Sequence, residues 1–525
     1  MISAAKGLWR FHRKLPGFLA TPLSIEDCRA IIEASVRDRE ANFLTMLGRS
    51  VFCNPASPYL PLLKRACATV GDIERLVRAD GVDAALEKLA AEGVHVSLDE
   101  FKGRVPVRRT GLEYQVSSSD FDNPLIDGGF EAMTGGSTGR RQRLTIELDL
   151  LEFEAAIRQL LLAAHGLSSM SMAIWKAVPP GTAGLKHALS SAKLGQSLAA
   201  WFTPVEESWD RLCWRSTVFL HVALWHGRRS GGLIPAPRHV PLSEPAPVAE
   251  WLAGQVAEGR PGLLSCPVSA AVRVVDYCRE RRLNIAGSVF WVGGEPISRA
   301  RGEIIEAAGA RTVNGYAISE AGSMGVGCAN RIERDEIHFI DSKVAVLPQP
   351  GSVNTETGAA RLLLTSLLPS SPKVLLNVDS GDYGVLSRRR CGCPVEQAGF
   401  LQHLHTIRSF DKLTAGGMHF TASDALELVE RVLPESFGGK PGQFQLVEEE
   451  HDGRSRVAIL ISPSIRLADE GRVIDAALEF LGSRSPGHRM MSANWRQSGI
   501  MEVRREEPAV SATGKVQPLR VKSRA

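Results

Sequence analysis

A glycine- and hydroxyl-rich stretch is the part of this sequence whose residue types most clearly suggest chemistry. Glycines let the backbone approach a ligand closely, and successive N–H groups beside hydroxyls form a concave anion site. The stretch therefore predicts binding of the phosphates of a nucleoside triphosphate, with an ordinary surface turn as the alternative. It lacks the pattern of a Walker P-loop. The residues are Thr134, Gly135, Gly136, Ser137, Thr138 and Gly139, followed by Arg140 and Arg141.

Two further clusters follow short apolar runs that predict strands. The first places Gly293, Gly294 and Glu295 after a strand, where exposed backbone could pack on a flat base. The second reads Gly-Tyr-Ala-Ile-Ser-Glu over residues 315–320. A serine and a carboxylate at a strand end suit a metal–phosphate site, because the hydroxyl donates to phosphate and the carboxylate binds Mg²⁺. In both clusters a simple turn is the alternative interpretation.

Three later clusters contain single polar residues that could contact a nucleotide. Asp382 follows Ser-Gly at residues 380–381 and could accept hydrogen bonds from ribose hydroxyls. Residues 406–411 read Thr-Ile-Arg-Ser-Phe-Asp where the sequence changes character. Lys515 follows a glycine near the C-terminus and could reach a phosphoryl group as a point charge. A turn aspartate and a solvated tail lysine are the alternatives.

The elements that must position these residues indicate an α/β protein with two domains. Residues 24–48, 56–100 and 148–164 predict helices, the first with a cap formed by Ser24 and Asp27. Apolar runs alternate with helical stretches between about 215 and 320, which predicts a mainly parallel sheet. After Arg408 a new series of helices and strands begins. We expect a large domain over 1–407, with mixed or parallel sheets covered by helices, and a smaller α+β domain over 408–525.

Composition limits the class of function. The chain has 525 residues, of which 44% are hydrophobic and 23% charged, and its formal net charge is +4. These values are typical of a soluble globular protein and give no support for a nucleic-acid partner. We find no apolar run of roughly 18 residues and no signal-peptide pattern, so we expect a cytoplasmic location without membrane attachment. Nine cysteines in so long a chain argue against a secreted disulfide framework.

Taken in order, these motifs resemble the adenylate-forming superfamily, which includes acyl-CoA synthetases, peptide-synthetase adenylation domains and luciferase. The resemblance runs from about residue 50 to the C-terminus. It is greatest to phenylacetate-CoA ligases, on the tyrosine-containing motif of residues 316–320 and the Cys-Gly-Cys-Pro of residues 391–394.

The resemblance implies a set of phosphate-binding roles. Residues 134–139 would hold the β- and γ-phosphates of ATP, Ser319 would contact the α-phosphate, and Glu320 would bind Mg²⁺. Lys515 would bridge the substrate carboxylate and the α-phosphate. On this reading Ser319, Glu320 and Lys515 are the catalytic residues.

The resemblance also implies how the nucleoside is held. Gly294 and Glu295 would line the adenine pocket, and Tyr316 would stack on the base. Asp382 would hold the ribose hydroxyls with help from Arg408. The domain after Arg408 would be mobile and would rotate between two half-reactions.

The activity implied is an ATP-dependent acid–thiol ligase that makes an acyl-AMP and then an acyl- or aryl-CoA, with coenzyme A as acceptor. Loading of a carrier-protein phosphopantetheine or an amine is one alternative. A binding protein that has lost the chemistry is another, supported by departures from the usual motifs at Gln142, Asp379 and Phe410. Residues 24–100 could provide either a homodimer surface or intramolecular packing.

Cysteine spacing suggests a structural zinc ion as a further cofactor. Cys391 and Cys393 are one residue apart, and Cys328 and His338 follow the motif of residues 316–320. Three cysteines and a histidine form an ordinary zinc ligand set. Unliganded cysteines in a turn, with His338 in the core or on the surface, are the alternative.

The acid pocket is expected between the helix around residues 201–222 and the strand before Gly293. His221, Trp214 and Trp225 are candidates for its wall, with plain core packing as the alternative.

Overall fold

The computed structural model describes most of the chain. Two predicted elements of the site, the glycine-rich stretch of residues 134–139 and Lys515, lie outside the described residues, as do Gln142 and Phe410. The described residues are 2–133, 143–179, 181, 183–207, 214–355, 357–409, 412–413, 420–440, 442–451, 453–483, 486–509 and 518–522.

Helices occur in both halves of the chain. The α-helices are α1 Ile2–Ala20, α2 Ile25–Arg37, α3 Arg39–Met46, α4 Leu60–Arg65, α5 Val70–Ala91, α6 Leu98–Phe101, α7 Leu148–Ala164, α8 Ala183–Lys193, α9 Trp214–Arg229, α10 Ala246–Ala257, α11 Val268–Arg281, α12 Arg299–Ala307, α13 Pro394–Gln397, α14 Ala422–Glu427, α15 Leu433–Phe437, α16 Gly471–Ser483 and α17 Pro486–Ser498. Leu47–Phe52 and Leu428–Val432 are π-helical, and Ser118–Phe121 is a 3₁₀ turn. None of the described helices has the length and apolar character needed to cross a bilayer.

The strands are short and form several sheets. They are β1 Val107–Arg109, β2 Leu112–Tyr114, β3 Phe130–Met133, β4 Arg143–Ile146, β5 Met172–Trp175, β6 Ala200–Thr203, β7 Pro237–His239, β8 Leu263–Cys266, β9 Val289–Val292, β10 Arg311–Ile318, β11 Gly322–Gly327, β12 Ile337–Phe339, β13 Val344–Pro348, β14 Ala360–Ser366, β15 Val378–Arg388, β16 Gln402–Arg408, β17 Lys412–Leu413, β18 Phe420–Thr421, β19 Phe444–His451, β20 Arg454–Ile461, β21 Met501–Arg504 and β22 Leu519–Lys522.

A 12-stranded mixed sheet forms the centre of the large part of the molecule. Its order is β13-β14-β15-β16-β12-β11-β10-β9-β8-β5-β6-β7. The strands from β10 to β7 pair in parallel, whereas those from β13 to β10 pair antiparallel. One apolar core includes residues of α7 and α8, and another those of α10 and α11. Every residue of β5 and β8 is buried, and burial of both faces explains why these strands are mostly apolar.

A second, smaller sheet follows in the C-terminal part. Its strand order is β21-β20-β19-β22, and α14 to α16 contribute to a separate apolar core beside it. The described residues thus confirm the predicted fold class, an α/β protein with a large mixed sheet and a smaller α+β part. The boundary at residue 408 and the mobility of the second domain stay predictions.

Several local predictions are confirmed with their bounds. The helix predicted over residues 148–164 is α7. Ser24 and Asp27 form a reciprocal capping box at the start of α2. Strand β15 begins at Val378, directly after Asn377, whose φ of 51° is a left-handed conformation that a regular strand does not contain.

Candidate functional site

A cavity of about 530 Å³ opens beside the carboxyl ends of the parallel strands β5, β8, β9 and β10. Ligand crevices in α/β sheets form at such ends, because the loops that follow the strands diverge there. Four of the predicted motif segments line it together. They are residues 293–295, residues 315–320, Asp382 with its neighbours Asp379 and Ser380, and Arg408.

Tyr316 and Asp382 are joined directly across this cavity. The Tyr316 hydroxyl donates a hydrogen bond of 2.8 Å to Asp382 Oδ2. Burial and the neighbouring Asp382 carboxylate raise the pKa of Tyr316 well above its usual value, so the hydroxyl remains a donor. Gly381 has a φ of 72°, which permits the turn that places Asp382 beside Ser380. The bond fixes the ring and the carboxylate relative to each other.

Glu320 is held by a lysine that the motifs did not indicate. Lys102 Nζ donates to Glu320 Oε1 at 2.6 Å, and each side chain is 12% exposed. Burial raises the pKa of Glu320, but the Lys102 charge and hydrogen bonds outweigh burial and lower the pKa to about 2. Glu320 is therefore ionised at neutral pH. Ser319 lines the same part of the cavity.

The Glu295 carboxylate is committed to holding its own loop. It accepts hydrogen bonds from Ser269 N and Ser269 Oγ, at 3.1 and 2.6 Å, at the start of α11. Arg301 NH1 lies 3.2 Å from the same carboxylate. Gly293 is required here, because a Cβ would lie 2.8 Å from the Gly315 carbonyl oxygen. The predicted contact of Gly294 and Glu295 with adenine is not tested by these distances and stays a prediction.

Arg408 lies at the end of β16 and is positioned by Asp335. Its NH1 donates to Asp335 Oδ2 at 3.0 Å. The same carboxylate accepts from the backbone N–H groups of Thr406 and Ile407, at 3.0 and 3.1 Å. Thr406 has a φ of 55°, so the strand bends at this point. The Asp335 carboxylate accepts the hydrogen bonds of the backbone N–H groups at the bend. Asp335 is a site residue that the sequence motifs did not indicate.

Basic side chains from α7, α8 and the residue after β5 also line the cavity. Glu154, on α7, accepts from Lys186 and Lys343 at 3.3 and 2.6 Å and from Ser323 N at 2.9 Å. Burial raises the pKa of Glu154, but the two lysines and the hydrogen bonds lower it to about 2. This buried carboxylate therefore neutralises charge close to the turn that contains Glu320.

Arg158 and Lys176 belong to the same group of basic side chains that line the cavity. Arg158 NH1 and NH2 contact the carbonyl and Nδ1 of His187, each within 2.8 Å, and the guanidinium lies over the Trp291 ring at 5.0 Å. Burial lowers the pKa of His187 well below 6.5, assisted by Lys176 and Arg158, so its ring is neutral. Arg158 donates to Nδ1, because a neutral imidazole accepts there when Nε2 carries the proton.

The predicted acid-pocket wall is corrected by the structure. Trp214 and Trp225 are 47% and 50% exposed on α9, and the His221 side chain is 48% exposed and lies 2.9 Å from Glu207. None of the three lines the cavity as described. Helix α9 turns these side chains outward, whereas α7 and α8 supply the wall. Neither the proposed wall nor the alternative of plain core packing applies to them.

Three cysteines and a histidine converge next to strands β11 and β12. Cys328, His338, Cys391 and Cys393 offer ligand atoms that all lie within 4.8 Å of one another. His338 Nε2 is 3.5 Å from Cys391 Sγ and 3.0 Å from Cys393 Sγ. The grouping expected from the cysteine spacing is therefore confirmed.

The surroundings of this cluster orient its donors. His338 Nδ1 lies 2.8 Å from the Phe400 carbonyl, which fixes the proton on Nδ1 and directs the Nε2 lone pair at the sulfurs. Glu396 accepts from the N–H groups of Cys391 and Gly392 and holds the turn. A hydrogen bond from Cys328 lowers the pKa of Cys393 well below that of an ordinary thiol.

Comparison with known proteins shows the fold. No protein-family profile and no curated protein sequence matches the chain. A solved structure of 2-hydroxyisobutyryl-CoA ligase, bound to its acyl-AMP and CoA in the thioesterification state, matches with a TM-score of 0.51 and 16% identity, over 92% of this chain and 89% of that chain. The protein therefore shares the fold of this CoA ligase.

Two further solved structures have lower similarity to the chain. The fatty acyl-adenylate ligase from L. pneumophila has a TM-score of 0.34 and 11% identity over 72% of this chain and 66% of that one. Acetoacetyl-CoA synthetase from Streptomyces lividans has a TM-score of 0.33 and 14% identity over 78% of this chain and 56% of that one.

Proposed function

We propose that this protein activates a carboxylic acid with ATP to an acyl-AMP and transfers the acyl group to a thiol, most directly that of coenzyme A. The observation that carries the proposal is the convergence of residues 293–295, residues 315–320, Asp382 and Arg408 on one cavity. They are far apart in sequence, and the fold that unites them is that of a CoA ligase. Within the group, the phenylacetate-CoA ligase subtype is supported by Tyr316 and by the cysteines 391 and 393.

In the proposed first step, a substrate carboxylate oxygen attacks the α-phosphorus of ATP. The bond from the α-phosphorus to the bridging oxygen breaks, and pyrophosphate leaves. Such a transfer needs alignment and neutralisation of charge more than covalent help. Ser319 would donate to the α-phosphate, and Lys515 would place its ammonium between the carboxylate and the α-phosphate. Residues 134–139 would cradle the leaving phosphates.

Nucleoside binding would use the residues whose geometry is fixed before ligand arrives. Tyr316 would stack on adenine while its hydroxyl stays bound to Asp382, and Asp382 would accept from a ribose hydroxyl with its remaining oxygen capacity. Arg408, held by Asp335, would donate to the ribose. The backbone at Gly294 would lie along the base, since the Glu295 carboxylate is engaged elsewhere.

Mg²⁺ fits Glu320, because that carboxylate is ionised, lines the cavity and is a hard oxygen donor. A Mg²⁺ ion there would neutralise charge on the ATP phosphates. Lys102 would then exchange its direct contact with Glu320 for one with phosphate or water.

In the second step, a thiol sulfur attacks the acyl carbon, the bond to the AMP oxygen breaks, and AMP leaves while the thiol proton passes to solvent. The domain after Arg408 would rotate between the steps and remove Lys515 from the site. Loading of a carrier-protein thiol or an amine would use the same first step.

A structural zinc ion fits the cluster of Cys328, His338, Cys391 and Cys393. Tetrahedral Zn–S and Zn–N bonds of about 2.3 and 2.0 Å place sulfur and nitrogen about 3.5 Å apart, which matches the 3.5 Å between Cys391 Sγ and His338 Nε2. The alternative group of Cys328, Glu336 and His403 fits zinc less well, since Glu336 is engaged by Arg389. Zinc would pin the segments of β12 and α13 and take no part in the reaction.

The proposal is tested by pyrophosphate release from ATP and Mg²⁺ with a panel of aryl and fatty acids, with and without CoA. Acid-dependent release supports adenylation, and thioester formation with CoA distinguishes it from carrier loading. Lys515→Ala should abolish acyl-AMP formation but spare thioester formation from supplied acyl-AMP. ATP binding without acid-dependent release from any acid would contradict the proposal and favour a binding protein that has lost the chemistry.

A further inference from the structure

The part of the cavity wall formed by α7, α8 and the residue after β5 carries more cations than its own carboxylate can neutralise. Arg158, Lys176 and Lys186 all line it, and Glu154 is the carboxylate that contacts this group among the described residues. Glu154 is already paired, with Lys186 at 3.1 Å and Lys343 at 2.6 Å. One carboxylate thus faces four cations, and Arg158 and Lys176 have no carboxylate within ion-pair distance in the part of the chain described here.

Arg158 is set in place but not saturated. The residue is 4% exposed, yet its Nε has no hydrogen-bond partner among the described residues. His187 and the Trp291 ring fix the plane of the guanidinium, at 2.7 Å and 5.0 Å. A buried guanidinium with an unused donor is costly unless an acceptor binds it.

Lys176 adds a second cation near Arg158. It follows β5 directly, so the strand end directs it to the cavity at the carboxyl edge of the sheet. Burial lowers the pKa of its ammonium to about 8, with Arg158 adding repulsion. The nearest thiol, Cys266, cannot neutralise it, because burial raises the pKa of that thiol to about 12.

We propose that the acid taken by this site carries a second carboxylate, bound by Arg158 and Lys176. This inference rests on the proposed function and names its substrate class, a dicarboxylic acid. The positive charge of the fixed guanidinium would attract the distal carboxylate, and Lys176 would complete the neutralisation. Ile157 and Trp291 supply apolar surface for the carbon skeleton.

The test compares acids in matched pairs that differ by the second carboxylate: benzoate with terephthalate, phenylacetate with 4-carboxyphenylacetate, and hexanoate with adipate. Pyrophosphate release by the full chain gives kcat/KM for each. We expect the dianion to exceed its partner by about tenfold or more in at least one pair. Lys176→Met should abolish that preference, since methionine keeps the apolar stem and removes the charge. Lys88→Met, at an exposed position of α5, is the matched control and should keep it.

The outcomes separate the inference from the proposed function. Equal or better turnover of every monocarboxylate would overturn the dicarboxylate assignment and leave acid activation standing. If no acid releases pyrophosphate, calorimetry with terephthalate tests the proposed anion site without requiring turnover. Binding that Lys176→Met weakens tenfold would support the anion site and contradict the ligase, whereas no binding of any of the three dicarboxylates would overturn both.

Discussion

Lys102 and Glu320 form an ion pair of 2.6 Å although 218 residues separate them in the sequence. The pair joins the segment after α6 to the turn between β10 and β11, at the position where the proposed Mg²⁺ ligand lies. It keeps Glu320 ionised and aimed into the cavity before any ligand binds.

Glu320→Gln should therefore lower acid-dependent pyrophosphate release by about a hundredfold or more, because the neutral amide loses both the metal ligand and the ion pair. The measurement is initial rate against Mg²⁺ concentration, and higher Mg²⁺ should not restore it. Glu303→Gln is the control, since Glu303 is an exposed residue of α12 that pairs with Arg299. A Glu320→Gln protein with an unchanged rate would remove Glu320 from the proposed mechanism.

Tyr316→Phe should raise the KM for ATP about three- to tenfold with little change in kcat. The ring can still stack, but the hydrogen bond to Asp382 is lost, and such a bond contributes about 1 kcal/mol. Steady-state kinetics with ATP varied would measure the effect. Tyr277→Phe, on α11 outside the cavity, should leave KM unchanged. A fall in kcat alone would assign Tyr316 to the chemical step instead.

The zinc proposal predicts about one zinc per chain in purified protein, by metal analysis. Cys393→Ser should reduce the content to near zero and lower the Tm, because the ion contributes to folding only where it binds. Cys278→Ser is the control: this buried cysteine lies outside the cluster, so its substitution should keep zinc. Equal zinc in both variants would rule out the cluster as the site.

Glu154→Gln should destabilise the protein by about 3–5 kcal/mol at pH 7, because it leaves Lys186 and Lys343 buried without their carboxylate. The folded pKa of Glu154, about 2, is lower than its ordinary 4.5. The carboxylate therefore contributes stability above pH 4.5 that is lost as the pH falls towards 2. Urea unfolding should show a difference between wild type and variant that shrinks over this window.

The exposed Asp149, on the same helix, is the matched control. Asp149→Asn should change the free energy of unfolding by less than about 1 kcal/mol. An equal effect from the two substitutions would show that the buried network stabilises nothing specific.

The dicarboxylate assignment predicts a pH effect on substrate affinity. As pH rises through about 8, Lys176 loses its proton and the affinity for the dianion should fall. Lys176→Met should have low affinity for the dianion and should lack this fall in affinity near pH 8. The groups facing Lys176 are Arg158, whose pKa burial lowers to about 9, and Cys266, His187, Lys186 and Glu154. Lys343, whose pKa is also about 8, is unchanged in the Lys176→Met variant. Any pH dependence that comes from Lys343 is therefore measured in that variant.

Much of the fold and part of the site could be predicted because their signals are local. Helix α7 follows from its apolar spacing and lies where it was expected. Tyr316, Asp382 and Arg408 each lie in a recognisable short motif, and the sheet brings them to one cavity.

The residues that sequence reasoning missed have no local signal. Lys102, Arg158 and Lys176 lie in segments without a recognisable motif, and only the folded chain brings them to the cavity. Asp335 likewise acquires its role through the bend at Thr406, a residue with positive φ that no propensity predicts. Conversely, their aromatic side chains suggest Trp214 and Trp225 for the pocket wall, but the orientation of α9 leaves both exposed.

The most direct test of the central claim is acid-dependent exchange of labelled pyrophosphate into ATP, measured on the wild type and on Lys515→Ala. This exchange reports reversible acyl-AMP formation without requiring a thiol acceptor. The account predicts exchange that depends on both an acid and Mg²⁺ in the wild type, and its loss in Lys515→Ala. No exchange with any acid in a protein that binds ATP, or normal exchange in Lys515→Ala, would contradict it.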